Sequence, residues 1–107
     1  MSKKRNMQEL INILAIALRH KIGSIVNENE IYAQKYSKDA EVLIKQAEKV
    51  SKRENWNNQD KEKIKTGLKR KLQQELENKE FLSNKKFEIM ESEMNKVLKS
   101  IGLKLKP

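Results

Sequence analysis

Apolar positions crowd most tightly at Leu10-Ile11-Asn12-Ile13-Leu14-Ala15-Ile16-Ala17-Leu18, where only Asn12 is polar. At about 100° per residue this run circles a helix axis more than twice, so such a helix is greasy on nearly every side. It needs neighbours on more than one face, yet it falls well short of the roughly 20 apolar residues that cross a bilayer. The 3–4 spacing of Met7, Leu10, Ile11, Leu14, Leu18, Ile22 and Ile25 predicts a first helix starting near Asn6. The other helices are expected to cover it. Residues 1–5 read as a basic, flexible tail. Gly23 lies inside the pattern, at a cost of about 1 kcal/mol relative to Ala, and marks either a close crossing or a soft spot.

Asn27-Glu28-Asn29-Glu30 is the first place the chain could bend. Two readings stay open there. In one the helix breaks at 27–30, with Glu28 and Glu30, or Ser37 as cap, favouring a new N-terminus. In the other, Ile22, Val26, Asn29, Ala33, Tyr36, Ala40, Leu43, Ala47 and Val50 form an unbroken heptad seam in one long helix, with Asn29 as its polar register residue. Either way the second helix ends around Ser51–Glu54. Glu54-Asn55-Trp56-Asn57-Asn58 is a clear loop, in which Asn57 can cap a third helix and Asp60 can complete a weak capping box.

The third helix, to about Asn78, carries only the thin stripe Ile64, Leu68, Leu72 and Leu76, with Gly67 beside it. After Phe81-Leu82-Ser83-Asn84, where Ser83 or Asn84 is the next cap, Phe87, Met90, Met94, Val97 and Ile101 predict a fourth helix. Gly102 is placed to end it in the left-handed conformation, leaving 103–107 as a flexible tail. No strand pattern and no internal repeat stand out. The chain is therefore read as one all-α domain over 1–107, an antiparallel bundle of three to four helices. The alternative is a long-helix hairpin completed by dimerisation. The thin third stripe and the seam at 22–50 both point to self-association, and symmetric dimers are the commonest oligomers.

Twenty-four Lys+Arg against 15 Asp+Glu give a formal charge of +9, which suggests nucleic acid, an anionic surface or an acidic protein as partner. Arginine, the better fork for phosphates and bases, is limited to Arg5, Arg19, Arg53 and Arg70. Lys, Asn and Ile also share AT-rich codons, so base composition alone can raise all three. Lys61, Lys65 and Lys69 are four apart on one side of helix three, and Arg70 adjoins them. Like charges at that spacing repel, and an acidic partner would relieve the repulsion. These four are the candidate anion- or partner-binding residues. The bland alternative is a solvated lysine-rich face.

Catalytic signatures are missing. The chain has no Cys, Gly-rich phosphate loop or nucleophile elbow. The single His20, between Arg19 and Lys21, has no second His to share a metal and reads as a helix-edge histidine. Carboxylates such as Glu41, Glu48 and Glu75 stand four before Lys45, Lys52 and Lys79, as ordinary surface pairs do. No enzyme, metal or cofactor is expected. Lys3-Lys4-Arg5 before an apolar run imitates a signal peptide, but the run lacks a cleavage site and ends in Arg19-His20-Lys21. A cytoplasmic location is expected, and a membrane role is disfavoured. Trp56 reads either as an exposed binding residue or as a plug at the end of a small core. The overall expectation is a non-catalytic helical interaction module, self-associating. The alternative is a binder of nucleic-acid phosphates independent of sequence, acting through helix three.

Overall fold

Ser2 opens the first helix, its hydroxyl accepting a hydrogen bond from the Arg5 N–H at 3.2 Å. The computed structural model describes residues 2–27, 31–79 and 84–104. It is all-α, with α1 (Lys3–Val26), α2 (Ala33–Ser51), α3 (Asn58–Glu77) and α4 (Lys85–Ser100). Lys3, Lys4 and Arg5 thus belong to α1 rather than to a tail. The Ser2 cap satisfies a first-turn N–H that would otherwise fray the helix.

α1 is the hub. It touches each of the other three helices, whereas α2 packs chiefly on α1, and α3 and α4 meet each other only lightly. Six residues of the greasy run, Leu10, Ile11, Leu14, Ala15, Ala17 and Leu18, are buried, while Ile13 and Ile16 are half-buried. The stripe of α3, Ile64, Leu68, Leu72 and Leu76, is completely enclosed against this core. Each such side chain contributes about 2 kcal/mol on burial. Met94, Val97 and Leu98 close the core from α4.

The long-helix reading is overturned. α1 ends at Val26 and α2 turns back along it, which places Arg53 on Glu9 (3.1 Å) and the Asn6 amide on Glu54 (2.8 Å). Residues 28–30, including the proposed register residue Asn29, lie outside the described residues, as does Ser83. The seam positions are nonetheless real. Ile22, Ala33, Ala40, Ala47 and Val50 are all buried, but inside one chain. Small alanines let α2 approach α1 closely. Both features that pointed to a dimer, the seam and the α3 stripe, are thus buried within a single chain.

Local signals explain the remaining boundaries. Ser37 is not the α2 cap. That helix starts at Ala33 after Tyr32, with no side-chain cap. Asn57 and Asp60 form the full capping box of α3, Asp60 N–H to Asn57 Oδ1 at 2.8 Å and Asn57 N–H to Asp60 Oδ2 at 3.1 Å. Asn84 precedes α4 without a side-chain hydrogen bond. Gly102 sits at φ 79°. The Leu103 N–H donates to the Leu98 carbonyl at 2.8 Å, and the Gly102 N–H to that of Lys99 at 3.2 Å. This closure tucks Leu103 into the core at 3% exposure, so Leu103 is an anchored residue and not part of a tail. Leu105 to Pro107 lie outside the described residues.

Candidate polyanion-binding surface

α3 runs parallel to α1. The contacts climb both helices together: Lys3 to Asp60 (2.6 Å), the Ile11 side chain beside Gly67, and Arg19 to Glu75 (2.8 Å). α4 runs antiparallel to α3, so its C-terminal turn lies beside the first half of α3 and Glu91 meets Lys69 at 3.3 Å. Because α3 has only one thin apolar stripe, the rest of its circumference faces outward between two depressions.

The first depression lies between α3 and α1. Ile11 and Gly67 line it, as do Lys63, Arg70 and Lys71, with Glu62 as its one acid. Gly67 matters sterically, since a Cβ there would come within 2.8 Å of the Ile11 δ-methyl. The second lies between α3 and the end of α4. Leu98 and Leu103 line it together with Lys65, Lys96, Lys99 and Lys104. The buried Glu93 pairs with Lys96 at 3.0 Å; the like charges of Lys65, Lys99 and Lys104 repel one another, and an anion would relieve this. A shallower hollow on the outer side of α3 joins Lys65, Thr66, Lys69 and Arg70, with Glu62 and Glu91 as its acids.

The four candidate residues therefore separate. Lys65 lines both the α4-side depression and the outer hollow, and Lys69 and Arg70 share that hollow with it. Arg70 also reaches the α1-side depression. Lys61, half-buried in the first turn of α3, lines none of the three. Lys69 is tied to Glu91, whereas Lys61, Lys65 and Arg70 form no ion pair among the described residues. Lys96, Lys99 and Lys104 were not singled out from the sequence. The signal was available, because an antiparallel α3–α4 hairpin must bring the last turn of α4 beside the lysines at the start of α3.

Other titratable groups have structural roles. Glu93 is 5% exposed, and burial by itself would raise its pKa. Hydrogen bonds from Lys96 (3.0 Å) and Lys21 (3.2 Å) outweigh burial and hold the carboxyl below its ordinary value. Asp60 is also held low, first by the Lys3 ammonium and then by the Asn57 N–H. Glu75 pairs with Arg19 across helices, in place of the Lys79 its spacing suggested. His20 donates Nδ1–H to the Ile16 carbonyl at 2.8 Å and meets the Tyr36 ring edge-on at 5.8 Å. Trp56 plugs the core end, donating to the Ser51 carbonyl at 2.8 Å with Lys3 over its ring at 5.7 Å. Among the described residues no three His, Asp or Glu side chains cluster as a metal site, and no helix is long and apolar enough to cross a membrane. Compared with known protein families, curated proteins and solved structures, the chain matches none.

Proposed function

We propose that the chain is a non-catalytic helical module that binds the phosphate backbone of nucleic acid through α3 and the end of α4. The observation that carries this reading is the depression lined by Lys65, Lys96, Lys99 and Lys104, where Lys96 is paired with Glu93 at 3.0 Å while Lys65, Lys99 and Lys104 form no ion pair among the described residues. Lys63, Arg70 and Lys71 extend the positive charge to the other side of α3. Lysine ammonium groups act as point charges without base preference, so the part of the affinity that these lysines supply is expected to be independent of sequence.

The test is fluorescence anisotropy with labelled DNA, both duplex and single-stranded. Binding at about 50 mM salt should weaken steeply by about 200 mM, because each neutralised phosphate releases counterions. The double variant Lys65→Gln/Lys99→Gln should lower the magnitude of the salt slope by about two. Absence of binding to either DNA form at low salt overturns the reading. So does a preference for anionic lipid vesicles over both.

A further inference from the structure

Resting on that reading, we infer that the nucleic acid bound is B-form duplex DNA, with α3 lying in its major groove and the flanking depressions receiving the two phosphate strands. The argument starts from shape. α3 stands between two hollows, and cations occupy both sides of it: Lys63 and Lys71 toward α1, Lys65 and Lys99 toward α4. A helix with its side chains is about 10–12 Å across, and the B-DNA major groove is about 12 Å wide and 8.5 Å deep. Twenty residues of α3 extend about 30 Å, enough to follow the groove.

Side-chain chemistry on the outer line of α3 agrees. Glu62, Thr66, Arg70 and Gln73 are all exposed and follow one another at helical spacing. These residue types reach base edges: Arg to guanine, Gln to adenine, Glu to the cytosine amino group, and the Thr methyl to that of thymine. Glu62 thus has a tolerable place on this surface, whose other acid, Glu91, is paired with Lys69. Single strands are disfavoured for a separate reason. Single-strand binders stack bases on aromatic rings, and no aromatic side chain lines any of the three hollows. The exposed aromatics among the described residues, Tyr32 at 60% and Phe87 at 37%, belong to other parts of the molecule.

The deciding experiment compares three ligands of one sequence and length by anisotropy at fixed low salt: duplex DNA, single-stranded DNA and duplex RNA. Duplex DNA should bind about tenfold more tightly than either. The RNA helix has the same charge and a major groove too deep and narrow for side chains to read, so it separates groove insertion from attraction alone. Thr66→Trp, at an exposed site and without change of charge, should weaken duplex DNA binding about tenfold and leave circular dichroism unchanged. Equal affinity for duplex DNA and duplex RNA, preference for the single strand, or an unaffected Thr66→Trp variant each overturns the inference. Binding to all three ligands alike would leave the phosphate-binding reading standing, whereas binding to none would remove both.

Discussion

At the scale of single residues, the strongest dependence is on side chains that α1 places out of reach of water. Leu14 is fully buried, so Leu14→Ala should cost about 3 kcal/mol through lost burial and the cavity left behind, read from the urea midpoint. Gly102 depends on backbone freedom instead. Gly102→Ala should cost about 1 kcal/mol, because a Cβ is strained at its positive φ while nothing stands within 4 Å to compensate. Asn57→Ala should cost about 1 kcal/mol by opening the capping box. Capping residues were readable beforehand because their partners are three residues away. Asn6, Lys86 and Glu93, all buried, were not. Asn6 reaches Glu54, Lys86 donates to the Lys79 carbonyl, and Glu93 is held partly by Lys21, and no local pattern shows those partners.

At the scale of elements, α1 and α3 were legible from periodicity because each has one dominant way to hide its apolar residues. The α1–α2 junction was harder. The 4–3 steps run through it because the two helices show their seams to each other, and a folded-back seam has the same spacing as a continuous one. Leu103 illustrates a missed signal, since a left-handed Gly102 calls for an apolar residue immediately after it. The α1–α4 contact gives an acid-dependent prediction. The Glu93 carboxyl is held below its ordinary value in the folded chain. Its contribution is complete above the unfolded carboxylate value and disappears as pH falls through the lower folded value. Asp60 acts in the same direction. Thermal stability should therefore fall on acidification, and Glu93→Gln should flatten that fall while costing about 1 kcal/mol near neutral pH.

At the scale of the whole molecule, the apolar features that suggested a partner copy are spent inside the chain. Among the described residues, the exposed large hydrophobics are Ile31, Tyr32, Val42 and Phe87. Light scattering at micromolar concentration should accordingly return a mass near the 12.6 kDa of one chain, and a dimer mass would contradict this accounting. The candidate surface was only half legible. Lys65, Lys69 and Arg70 could be placed on α3 from spacing alone. The contribution of Lys96, Lys99 and Lys104 emerges only when spacing on α4 is combined with the antiparallel α3–α4 hairpin, a step that the charge pattern of α3 alone does not supply.

Because α1 is the one helix that all the others lean on, the order of synthesis has a consequence. The stickiest segment leaves the ribosome well before α3 and α4, and α2 alone cannot shelter it. Until both α3 and α4 are made, the sides of α1 that they cover stay open to water. A stalled or truncated product ending before residue 85 should aggregate or recruit a chaperone, even though every residue of α1 is intact.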